Sequence, residues 1–94
     1  VNIKLSKSGG LLEAIEINRA CADRNIPCMM GGMLESRLAL TACAHFATAH
    51  RNVEFYDMDT CLLGHKADPV TGGITYRGFL VELSDEPGLG ADVD

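Results

Sequence analysis

The sequence predicts an α/β fold: the C-terminal part of a (β/α)-barrel, about its last three strands and two helices, followed by a β-hairpin and tail. Three observations carry this prediction. Strand-like and helix-like stretches alternate in the order β-α-β-α-β over residues 1–56. The junctions Arg24-Asn25-Ile26 and Arg51-Asn52-Val53 each mark a helix end and a strand start, 27 residues apart. After Asp59 this rhythm stops, so the barrel closes at the third strand. Consecutive βα units joined right-handedly form a parallel sheet. Eight units of this length total roughly 220 residues, near the ~250 of a complete barrel. A leucine-rich repeat pattern is absent, which excludes a horseshoe.

Each element has a local reason. Val1 to Leu5 alternates, with Val1, Ile3 and Leu5 on one face and Asn2 and Lys4 on the other. Ser8-Gly9-Gly10 breaks that pattern. Leu11 to about Arg24 reads as a helix: Glu13, Glu16, Arg19 and Asp23 form its polar stripe, Ala14, Ile17 and Cys21 its apolar side. Asn25 is the expected helix stop. Ile26 to Met30 is a short apolar run before Gly31-Gly32 and reads as a buried strand. Ser36 is the expected N-cap of a second helix reaching about His50. That helix is rich in small residues, which allow close packing on a sheet. Val53 to Tyr56 is the third strand, ending in Asp57-Met58-Asp59. Residues 1–60 are therefore the last barrel units, and 61–94 a loop, hairpin and tail packing on the rest of the protein. The hairpin spans Gly72 to Leu83 and turns at Arg77-Gly78; Pro87-Gly88-Leu89-Gly90 is a turn-rich tail. Val1 already lies inside a strand-like run, so the protein is expected to extend further N-terminally.

Composition narrows the function classes. The chain has 94 residues, 47% hydrophobic and 22% charged, with net charge −5. Disorder is disfavoured, and a domain of this size is marginally stable on its own. Eight scattered Lys and Arg give no basic patch, so nucleic acid is not an expected partner. No apolar run approaches the ~20 residues of a membrane span. Cys21, Cys28, Cys43 and Cys61 form no C-x-x-C pair and read as reduced thiols of a cytoplasmic protein. His45, His50 and His65 form no metal pattern and read as structural or surface residues.

Several residues have the chemistry and placement for a site. Lys4 lies on the inward strand face near its C-terminal end, where barrel active sites sit. Burial there lowers an amine pKa and suits it to proton transfer; the competing reading is an ordinary solvated lysine. Asp57 and Asp59, at i and i+2, leave the third strand on one face. Two such charges need a cation, whether a metal, a substrate ammonium or a basic side chain; otherwise they are a solvated turn. Gly31-Gly32 permits close approach of a ligand to the backbone, and the following helix start favours a carboxylate; a plain tight turn is the alternative. Glu35 is either a site carboxylate or a helix-start charge.

The motifs together resemble one family. Ile3-Lys4-Leu5-Ser6-Lys7-Ser8-Gly9-Gly10 resembles the IKxxKxGG stretch on the sixth barrel strand of the enolase superfamily, muconate-cycloisomerase-like subgroup. Gly31-Gly32-Met33-Leu34-Glu35-Ser36 is similar to the GxMxE[ST] stretch after the seventh strand, and Asp57-Met58-Asp59 to the DxD after the eighth strand of dipeptide epimerases. Gly72-Gly73-Ile74-Thr75-Tyr76 and Pro87-Gly88-Leu89-Gly90 resemble the GGI.Y and PGLG tail. Four motifs in the right order and spacing cover the chain almost end to end.

The resemblance implies a Mg²⁺-dependent epimerase acting on a dipeptide by two-base 1,1-proton transfer. Lys4 matches one catalytic lysine. Asp57 and Asp59 match the carboxylates that receive the dipeptide ammonium. Backbone at Gly32 and Leu34, with Glu35, lines the substrate pocket. The Mg²⁺ ligands, the second lysine and the capping domain all precede Val1, so no metal ligand is assigned here and the segment alone is expected to be inactive. A homo-oligomer is the expected assembly. Two other reactions share the scaffold. In o-succinylbenzoate synthases and N-acylamino acid racemases the first motif tends to read IKPGRxGG, from which Leu5-Ser6-Lys7 departs; muconate cycloisomerases have no ammonium to bind, which sets Asp57 and Asp59 against them. A stand-alone α/β binding module is the reading from another class. Open sheet edges and an uncovered inner face count against it.

Overall fold

The computed structural model describes residues 1–58, 68–78 and 80–93. The chain runs through β1 (Asn2–Ile3), a single-turn helix α1 (Leu5–Ser8), α2 (Leu11–Ala22), β2 (Cys28–Met30), α3 (Arg37–Ala49) and β3 (Val53–Tyr56). The three strands form one parallel sheet in the order β1-β2-β3. This is a partial α/β barrel wall, as the βαβαβ pattern predicts.

The first strand is shorter than its alternation suggests. Only Asn2 and Ile3 pair, with Met29 and Met30. At Lys4 the chain turns out of the sheet: the Lys4 carbonyl accepts from the amides of Lys7 and Ser8, both at 2.9 Å. Leu5 thus opens α1, which Gly9 closes in a left-handed conformation. An apolar residue at position 5 continues the strand pattern but packs against the core from a helix.

α2 ends at Ala22, two residues before the expected Arg24. Asn25 adopts φ 56°, the Asn25 amide donates to Ala22 O and the Ile26 amide to Cys21 O. This is a Schellman-type stop with Asn in the left-handed position. The echo at Asn52 works differently. Its side-chain amide donates to Ile26 O at 2.9 Å and to Asn18 Oδ1 at 3.3 Å, tying the start of β3 to the buried side of α2. Ser36 caps α3 as expected, accepting from the Ala39 amide at 3.2 Å.

The core lies on one face of the sheet. Ile3, Cys28, Met30 and Val53 pack there against Ala14 and Cys21 of α2 and Leu40, Cys43, Ala44, Phe46 and Ala47 of α3. Alanines on α3 bring its backbone close to the strands, and each large buried side chain such as Leu40 contributes about 1.5–3 kcal/mol. Between Cys28 and Met29 the ladder slips by one residue: Cys28 pairs with Val53 but Met29 pairs with Phe55. The extra residue, Glu54, makes a β-bulge.

The tail returns over α3. β5 (Thr75–Arg77) and β6 (Leu80–Glu82) form the expected hairpin around Gly78. An unexpected pairing accompanies it: β4 (Val70–Gly72) runs antiparallel to β7 (Ala91–Val93). The Gly73 amide extends that contact to Gly90 O at 2.7 Å, and His45 Nε2 lies 3.3 Å from Leu89 O. The His50 and Phe46 rings touch in a tilted arrangement, centroids 4.4 Å apart and planes at 40°. Cys21, Cys28 and Cys43 are free and buried; Cys61 and His65 lie outside the described residues. Among the described residues no helix is long and apolar enough to cross a membrane.

Candidate functional site at the carboxyl ends of the strands

Register decides which side chains share the uncovered face. Residues paired across a parallel ladder point the same way. Ile3 and Met30 face the helices, so Asn2, Met29 and Phe55 form a row on the other face. Two residues further along, on the same face, come Lys4, Gly31 and Asp57. The Gly31 amide bonds Ile3 O and the Asp57 amide bonds Met30 O, both at 2.9 Å, which holds these three ends side by side. Lys4 and Asp57 are two strand spacings apart, roughly 10 Å between their Cα atoms.

Between them Gly31 is buried, with the Asn2 side chain laid over it as the floor of a slot. A Cβ on Gly31 would sit 2.4 Å from Asn2 Oδ1, so only glycine lets the Asn2 amide lie across this position. The slot therefore has an amine on one wall, a carboxylate on the other, and the polar Asn2 amide at its base. Lys4 is half-buried; its ammonium donates to the Met33 thioether, with Nζ 4.0 Å from Sδ. Asp57 is exposed at the end of β3. Asp59 lies outside the described residues.

The loop after β2 forms the rim. Met33 and Leu34 are exposed, whereas Glu35 folds back beneath Gly32. Glu35 Oε2 is shielded from solvent and lies 3.1 Å from where a Gly32 Cβ would sit. Its charge reaches Cys43 on α3: burial first, then the Glu35 carboxylate, pushes the Cys43 thiol up to about 11. Burial, with Cys21 alongside, also raises the Cys28 thiol. Both thiols therefore stay protonated near neutrality and are poor nucleophiles. Among the described residues no three of His, Cys, Asp and Glu gather closely enough to hold a metal ion, so no chemical step is assigned to a metal on these residues.

Three residues outside the predicted set brace this end of the molecule. Arg37, at the start of α3, donates to Asp68 Oδ2 at 2.6 Å, to Ile74 O at 3.1 Å, and to the carbonyls of Val70 and Gly72. Thr41 Oγ1 accepts from the Ile74 amide at 3.0 Å. The Tyr76 hydroxyl donates to Met58 O. The sequence signal available for them was the Gly72–Tyr76 motif, which marks where partners dock without naming the partners.

Comparison with known proteins places this arrangement. A family model described as Enolase C-terminal domain-like matches residues 1–94. The L-Ala-D/L-Glu epimerase of Bacillus subtilis (strain 168) is 43% identical over 90 residues, covering 96% of this chain and 24% of that protein. The D-Ala-D/L-Ala epimerase of Cytophaga hutchinsonii is 47% identical over 92 residues, with 96% and 24% covered. The crystal structure of the Cytophaga hutchinsonii dipeptide epimerase complexed with Mg and D-Ala-L-Val superposes with a TM-score of 0.92 at 44% identity, covering 99% of this chain and 25% of that one. The chain thus spans about a quarter of the length of the relatives it matches.

Proposed function

The chain belongs to the Enolase C-terminal domain-like family, and on that premise we propose that it is part of a Mg²⁺-dependent dipeptide epimerase. The reaction inverts the carbon next to the substrate carboxylate by removing and returning its proton. The observation that carries the reading is the Lys4–Gly31–Asp57 row at the carboxyl ends of three parallel strands. The similarity to dipeptide epimerases over nearly the whole segment supports it.

The geometry suits such a substrate. In a dipeptide the ammonium is bonded to the first Cα, and the reacting carbon is the second Cα, about 3.8 Å from the first. Asp57, with Asp59, holds the ammonium from the β3 wall. This places the second Cα over Gly31, toward Lys4. The Lys4 amine takes the proton from one face of that carbon or returns it. Backbone at Gly32 and Leu34 lines the pocket, with Glu35 behind it. A second lysine on the opposite face lies outside residues 1–94, so the segment alone is inactive. The carboxylates that would hold Mg²⁺ are likewise outside the segment; the bound ion would supply stabilisation of the charge developing on the substrate carboxylate. The rest of the barrel and a capping domain complete the pocket.

A proton-exchange screen tests this. The full-length protein is incubated in D₂O with a set of L,L-dipeptides and the α-proton signal is followed by NMR. Loss of that signal with appearance of the epimer is expected. Turnover of muconate or a succinylbenzoate precursor, with no exchange on any dipeptide, would reject the reading.

A further inference from the structure

The Gly72–Tyr76 motif has no part in the chemistry proposed above, yet its contacts converge on the acidic wall of the slot. It is anchored first on α3. Arg37 donates to Gly72 O and to Ile74 O, and Thr41 Oγ1 accepts from the Ile74 amide. Ile74 is wholly buried. Gly73 sits at φ 80°, and a Cβ there would come within 2.6 Å of Thr41 Oγ1, so any other residue would push the motif off α3. On its other side the Gly73 amide bonds Gly90 O, which joins the motif to the Pro87–Gly90 turn.

From this fixed base the chain reaches Tyr76, whose hydroxyl donates to Met58 O. Met58 directly follows Asp57, and its side chain is buried in the core. Asp57 is thus held on both sides: its amide by Met30 O from β2, the next carbonyl by Tyr76. Fixing the backbone on both sides of Asp57 restricts the directions its carboxylate can take.

We propose that Tyr76 is a positioning residue for substrate binding: braced on Arg37 and Thr41 through the Gly72–Ile74 backbone, it fixes the Met58 carbonyl and thereby aims the Asp57 carboxylate at the substrate ammonium. This rests on the reading of Asp57 as an ammonium-binding group. It predicts that Tyr76 acts on recognition of the amino terminus and not on proton transfer at Lys4.

The test is Tyr76→Phe in the full-length protein, which keeps the ring and removes only the hydroxyl. Two readouts are taken. Steady-state kinetics compares KM and kcat for a free dipeptide with the inhibition constant of its N-acetylated counterpart, which has no ammonium. We expect KM to rise roughly tenfold with kcat nearly unchanged, the pattern of lost binding, and the N-acetyl inhibition constant to stay constant. Equal weakening of both ligands, or no change in either, would overturn the inference, because a merely structural role affects both alike. Amide hydrogen exchange, read by mass spectrometry over residues 53–58, gives the second readout without any activity. Faster exchange at Asp57 and Met58 in the variant supports the anchor; unchanged exchange refutes it. A wild-type protein that exchanges no dipeptide would instead refute the proposed function and the ammonium half of this inference, with the anchor still decided by amide exchange.

Discussion

On the helix-covered face of the sheet, Ile3 and Val53 are each 2% exposed and Cys28 and Met30 not at all. On the other face Phe55 is 58% exposed, and Asn2 and Asp57 are open to solvent. Both faces are built from the same three short strands. The covered face is apolar and closely packed and supplies the folding energy of the segment. The open face carries an amine, a carboxylate and, between them, a glycine covered by the Asn2 amide, the groups to which the proposed function assigns the chemistry. The division is the one expected of a barrel wall, with stability on one side and the reaction at the strand ends on the other.

That division can be broken from either side. Lys4→Ala in the full-length protein should lower α-proton exchange by roughly a thousandfold, the loss of one acid–base group, while the far-UV circular dichroism and the melting temperature stay put. Retained exchange would remove Lys4 from the mechanism. Leu40→Ala should do the reverse. Deleting most of a buried side chain costs about 2–5 kcal/mol, seen as a lower urea midpoint, while the kcat of the remaining folded protein is preserved.

The smallest effect sharpens the contrast. Cys43 lies on the covered side, and its thiol is raised from 9.0 to about 11 by burial and by Glu35. The unfolded chain therefore loses this proton first as pH rises. Stability from this group is fully present below pH 9 and is lost as pH climbs toward about 11. Cys43→Ala should flatten the stability–pH curve in that window and leave it unchanged below. A curve that declines as steeply without the thiol would assign the alkaline loss to other groups.

How much of this is legible in the sequence differs by element. The α2 stripe, the Asn25 stop, the Ser36 cap and the inward direction of Lys4 follow from local rules, and local rules hold where the next few residues decide the conformation. The exit of the chain at Lys4 is less readable. Leu5 continues an alternating pattern, and only the hydrogen bonds to Lys4 O show that the strand has ended. The pairing of Val70–Gly72 with Ala91–Val93 is not readable at all: both runs are only three residues long, too short for a periodic pattern, and far apart in sequence. Arg37 escapes for a related reason. A charged residue in the first turn of a helix reads as solvated, and its acceptors are more than thirty residues away. The site shows the same split. The Lys4 position comes from strand periodicity, whereas the outward face of Asp57 depends on the bulge at Glu54 and the Tyr76 brace on a contact between distant segments, neither of which periodicity can supply.

The slip in register between β2 and β3 has a consequence for insertions and deletions. Counted by simple alternation, Val53, Phe55 and Asp57 share one face, and a buried Val53 would drag Asp57 into the core. The bulge at Glu54 resets the parity, so Val53 turns to the helices while Phe55 and Asp57 turn away from them. Removing Glu54 would restore a regular ladder and leave Asp57 on its present face. Removing Tyr56 would exchange the faces and carry the carboxylate to the side Tyr56 now occupies, away from Lys4 and Gly31. Two single-residue deletions only a few positions apart therefore have opposite outcomes, one absorbed by the strand and the other disabling.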